Sequence, residues 1–166
     1  TGIVNCDYLT ETACNNLGGV FNSALTCNDE CIIPPPWVDP GNTGNNHSIL
    51  FPPTPILTID GLPLSNGDAL GVFYEDGGVL HCGGYIIWQG SQTALVAWGD
   101  DSQTTGKDGF DTGETFVWKI WDASEAVEYN AVAVYDPIFF DQGDYLNNGL
   151  SAILSVEAIS CQSIPI

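Results

Sequence analysis

Short apolar runs broken by paired turn residues dominate this sequence from His47 onward, and they leave few folds open to it. Asp60-Gly61, Asn66-Gly67 and Gly77-Gly78 each follow one such run and precede another. Dipeptides of this kind close hairpins because both positions accept the positive φ that a tight turn demands. The runs are rich in β-branched and aromatic residues, and the turn signals recur about every 8–12 residues, the spacing of an all-β domain. Strands are predicted near 48–52, 55–59, 62–64, 69–74, 79–88, 94–98, 115–121, 127–135 and 151–158. In TFVWKIW, Phe116, Trp118 and Ile120 fall on one face and Val117, Lys119 and Trp121 on the other. No helical period of useful length follows residue 20. The expected fold is therefore all-β, an antiparallel, jelly-roll-like β-sandwich over residues 47–166.

Residues 1–33 read differently. Cys6, Cys14, Cys27 and Cys31 crowd a segment in which Thr10 can cap a short helix and Gly18-Gly19 can stop it. A piece this small cannot bury a core, so cross-links are expected to stand in for one. The spacing lacks the paired C-x-x-C of a zinc site, and the two histidines, His47 and His81, lie far along the chain. A disulfide-rich N-terminal unit is predicted, with three pairings of the four cysteines open. Cys82 and Cys161 remain, and a bridge between them would tie a central strand to the last one. An even set of six cysteines points to an oxidising, extracellular setting. The start at Thr1 is that expected of a mature product whose leader has been removed. Between the two units, PPPWVDPGNTGNN at 34–46 is expected to be a stiff polyproline linker, with Trp37 docked on one neighbour.

Charge narrows the partners. Twenty-one Asp and Glu face only Lys107 and Lys119, without arginine, for a net charge of −19. No basic footprint for nucleic acid or an anionic membrane can be built from two lysines, and no apolar run is long enough to span a bilayer. Apolar residues at 44% exclude a disordered acidic tail.

Five of the carboxylates, Asp100, Asp101, Asp108, Asp111 and Glu114, share one glycine-containing loop from Gly99 to Glu114. Calcium takes 6–8 oxygen ligands, so this loop is the expected metal site, although its order is not that of an EF-hand. The alternative is a solvated loop neutralised by Lys107 and Lys119. Asp136, Asp141 and Asp144 form a weaker second candidate. Tryptophans and tyrosines on strands suggest a sugar platform at Trp88, Trp121 and Tyr85, while Trp118 is expected in the core. His81 beside Cys82 reads as structural. Lys119 is expected to pair with Glu128 across strands, in preference to an isopeptide bond. No hydrolase, metalloprotease or phosphate-loop motif is present, so no catalytic residue is assigned and no enzyme is expected. A glycoside hydrolase, which needs only two suitably spaced carboxylates, is the third reading.

Taken together, GVFYEDGGVLHCGGYIIWQG, AWGDD, KDGFDTGE and FVWKIWD resemble a recurrent β-sandwich module of secreted and cell-surface proteins of marine Bacteroidota-type bacteria. CDYLTETACNNLGGVFNSALTCNDEC is similar to short cysteine-rich modules of secreted bacterial proteins. The resemblance implies a secreted module without a catalytic assignment. The expected function is an extracellular structural or adhesive subunit that packs against copies of itself in a fibre or layer, stabilised by disulfides and calcium. Glycan binding through exposed aromatics is the alternative.

Overall fold

Two glycine-containing turns set the first hairpins. Asp60 and Gly61 take φ of 52° and 78° between β2 (Ile56–Ile59) and β3 (Leu62–Pro63), and Gly77 and Gly78 take 59° and 84° between β4 (Ala69–Asp76) and β5 (Val79–Ile87). Both are the positive-φ pairs that match the twist of antiparallel strands. The computed structural model describes residues 33–101 and 103–160, and among these the regular elements are all strands. The others are β1 (Asn46–Phe51), β6 (Thr93–Trp98), β7 (Val117–Asp122), β8 (Val127–Tyr135) and β9 (Gly149–Ala158). The cystine-rich unit expected before residue 33, with Cys6, Cys14, Cys27 and Cys31, lies outside the described residues, as does Cys161.

The protein is all-β, but its sheet is mixed. Strands follow the order β3-β2-β9-β8-β7-β4-β5, with β1 bonded to both β9 and β6. β9 carries the departure from the expected antiparallel arrangement. Its first half runs parallel to β1 (Ile49 opposite Ser151) and its second half parallel to β2 (Leu57 opposite Val156), while its other edge is antiparallel to β8. Parallel neighbours require a long connection. Here β3 to β8 all lie between, so the requirement is met without a helix. β5 and β6 are brought together at Gly84, where an added Cβ would run into the Val96 carbonyl.

Alternation along β7 holds as read: Phe116, Trp118 and Ile120 are buried with Phe51, Leu70 and Val156 in the main core. Each such side chain contributes about 1.5–3 kcal/mol when taken fully out of water. The opposite face of β7 is covered as well. Trp121, Ala69 and Ala123 are buried there beneath Ile33, Trp37, Tyr85 and Ile87.

The cover comes from the proline segment, which lies along the domain and is bonded to it. Trp121 Nε1 donates to the Ile33 carbonyl at 2.7 Å, Thr43 Oγ1 to the Gly99 carbonyl at 2.6 Å, and Asn45 Nδ2 to the Asp100 carbonyl at 3.0 Å. Trp37 sits edge-on to Phe73 and Tyr85, over Gly71, where a Cβ would approach the indole to 2.9 Å. The absent side chain makes the seat.

Candidate functional site

Both of the chain's lysines line one groove. Its near wall is the proline segment at Pro36, Trp37 and Val38, its floor is Phe73 and Tyr74 of β4 with His81 of β5, and Lys107, Asp108, Lys119 and Glu128 complete the rim. The volume is about 500 Å³. Each lysine is placed by a strand or loop that has a separate reason for its course. Outward alternation on β7 aims Lys119 at the groove, where it pairs with Glu128 of β8 and lies 5.0 Å from the Phe73 ring centroid. Lys107 comes from the acidic loop and sits 5.4 Å from the centre of the Tyr74 ring.

Lys107 organises that loop. Its ammonium bonds Glu114 Oε2 at 2.8 Å, pairs with Asp111 Oδ2 at 3.0 Å and donates to the Glu75 carbonyl at 2.8 Å. Burial works against its charge, but the hydrogen bonds that it donates to Glu114 and Asp111, with the attraction of the two carboxylates, outweigh it and hold the Lys107 pKa above its ordinary value. Glu114 also takes the Glu75 N–H at 2.7 Å, fastening the loop to β4.

The remaining predicted metal ligands are turned to other work. Asp101 caps the Gln103 and Thr104 amides at 2.6 and 3.3 Å, Asp100 accepts the Asp108 N–H at 2.8 Å, and Asp108 Oδ2 takes the Thr104 hydroxyl at 2.9 Å. The five carboxylates therefore share a loop without converging on one point, and among the described residues no three His, Cys, Asp or Glu side chains form a cluster that could hold a metal. The geometry supports the neutralising role of Lys107. The second acidic group is likewise spread: Asp136 accepts from the Ile138 amide, Asp141 from the Leu150 amide and Asp144 from the Thr115 hydroxyl.

The expected sugar platform is not assembled. Trp88 and Trp121 are only 8% and 7% exposed, one in the main core and one under Ile33, and Tyr85 is packed against Trp37. The rings that do meet the groove are others. His81 stands directly opposite Tyr74 in the hairpin register and stacks on it at 5.5 Å and 24°. Counting outward from Gly77-Gly78 gives that pairing, so a signal for it existed in the sequence. Tyr74 itself is buried, which raises its pKa with a further push from Asp108.

Cys82 also borders the groove as a buried free thiol, its pKa pushed up to about 11 by burial. Cys161, its expected bridge partner, lies outside the described residues.

One pair elsewhere has the outline of a nucleophile and its base. His47 Nδ1 accepts the Leu146 N–H at 3.1 Å, so Nε2 carries the proton and donates it to Ser151 Oγ at 2.5 Å. A base would need Nε2 free to accept from the hydroxyl, and both residues are fully buried. The pair fastens β1 to the start of β9.

Compared with protein families, with curated proteins and with solved structures, the chain matches none.

Proposed function

We propose that the protein is an extracellular structural subunit that assembles with copies of itself through the outer face of β8 and its neighbours. One observation carries this reading. Val132 and Val134 of β8 are 72% and 50% exposed, Ile56 of β2 is 58% exposed and Leu154 of β9 is 44% exposed. Register places Ile56, Ser155 and Val134 in one row and Thr58, Glu157 and Val132 in the next, so these side chains share a face. Leu154 has no partner where the register slips between Val134 and Tyr135, and it stands beside that row. Val117 extends the face onto β7.

In a chain of net charge −19, a face of four strands whose two rows carry Glu157 as their acidic member is where two copies repel each other least. Contiguous exposed apolar surface of this kind marks interaction sites. The return of the sheet at Gly84 and Val96 supports a two-layer, sandwich-like packing behind the face. An oxidising, secreted setting and the bacterial cell-surface resemblance of the strand motifs belong to the same reading.

Light scattering across a concentration series tests it. The mass should rise with concentration in the native protein and stay monomeric in a Val132→Glu, Val134→Glu double variant. A native protein that remains monomeric at high concentration removes the proposal.

A further inference from the structure

The groove beside the proline segment holds polar atoms that the fold leaves unused. Asp108 Oδ1 is buried and has no hydrogen-bond partner, although Oδ2 of the same carboxylate is engaged. An acceptor left unmatched away from water is costly, and a ligand donor reaching it would recover that cost. Lys119 has three N–H donors, and its bond to Glu128 accounts for one of them. The exposed His81 imidazole is backed by the Tyr74 ring, which holds its outer face flat.

Charge and geometry together select the ligand class. The net charge of −19 repels anions, and Lys107 has its three N–H groups committed to Asp111, Glu114 and the Glu75 carbonyl, so no cationic clamp is available for a carboxylate or phosphate. A simple cation would satisfy Asp108 and offer nothing to the donors of Lys119. A polyhydroxyl ring supplies a hydroxyl donor, oxygen acceptors and a C–H face in one molecule. The volume of about 500 Å³ falls in the range of small-ligand sites, about 300–1,000 Å³.

We infer that this groove binds a neutral glycan, with His81 stacking on a sugar face, Asp108 Oδ1 accepting a hydroxyl and Lys119 donating to a sugar oxygen. The groove adjoins the β8 face at Val117, which lies opposite Phe73, but its ligand contacts come from His81, Asp108 and Lys119 and not from the exposed valines.

The test is a screen of the intact protein on an array of neutral glycans, followed by calorimetric titration with the strongest binder and with tetragalacturonate as an anionic probe. His81→Ala and Asp108→Asn should each weaken the neutral ligand about ten-fold, the loss of one good contact. Their melting curves establish that both variants are folded. Ile56→Glu, on β2 and three strands from Lys119 in the sheet, should bind as the native protein does. Absence of any neutral binder, equal affinity for tetragalacturonate, or affinity unchanged in both groove variants would each overturn the inference.

Discussion

The indole N–H of Trp37 donates to Glu128 Oε2 at 2.6 Å, and the other oxygen of that carboxylate pairs with Lys119. One glutamate thus holds both the proline segment and the strand beneath it. Trp37 also fills the notch over Gly71 between Phe73 and Tyr85. Trp37→Ala should therefore destabilise the domain by about 2–3 kcal/mol, less than a fully buried tryptophan because the ring is partly exposed. Urea unfolding followed by circular dichroism measures it. A change below about 0.5 kcal/mol, the level of an ordinary surface substitution, would mean that the segment is not fastened there.

His47 makes stability depend on pH. Burial lowers its pKa below the ordinary imidazole value, with Asp141 and the Leu146 amide opposing, and the neutral ring is the form that accepts the Leu146 N–H. The unfolded chain takes up the proton first as pH falls. The contribution is complete above about pH 6.5 and is lost progressively as pH drops below that value and through the folded-state pKa. Comparing urea midpoints of the native protein and His47→Gln at pH 8 and pH 5.5 isolates this from the carboxylates. The native protein should lose more stability between the two pH values than the variant, and equal losses would contradict the assignment.

Lys107 should matter more to the acidic loop than added calcium. Replacing it with Met leaves Asp111 and Glu114 adjacent without their cation, and Glu114 is also the tie to β4. A loss of about 1–2 kcal/mol is expected, with increased amide exchange across residues 100–114. Excess chelator should leave the native melting temperature unchanged. A clear fall on chelation, reversed by calcium, would restore the cation reading through linkage.

Cys82 should resist alkylation in the folded state, because its thiol is buried and its pKa stands near 11. Peptide mass spectrometry after iodoacetamide at pH 8 reads the site directly. Rapid labelling of the native protein would place Cys82 at the surface.

Most of the strand map was legible because period-two alternation and the glycine turns act locally. TFVWKIW buries the face that its alternation assigns, and Gly77-Gly78 forms the turn that its composition demands. The parallel seat of β9 was not legible, since nothing in GLSAILSVEA says which distant edge it will join. Trp121 shows the other limit. Alternation correctly turns it away from the main core, but the cover over it is an aperiodic proline stretch, and only tertiary packing reveals that the indole is enclosed. At the candidate site, the charges of the acidic loop could be counted from the sequence, whereas the position of Lys107 among them could not. The groove joins residues from 36 to 128, and no local pattern links them.

The position of β9 has a consequence for how the protein is made. β1 and β2 leave the ribosome before β9, yet the edge that completes their hydrogen bonding comes from β9, the last of the nine strands among the described residues. Until residues 149–158 are synthesised, those two segments wait without that partner, and the intervening strands have no complete sheet to join. A nascent chain stalled before Gly149 should be readily digested by protease, and one released after Ala158 should become resistant in a single slow step typical of long-range pairing.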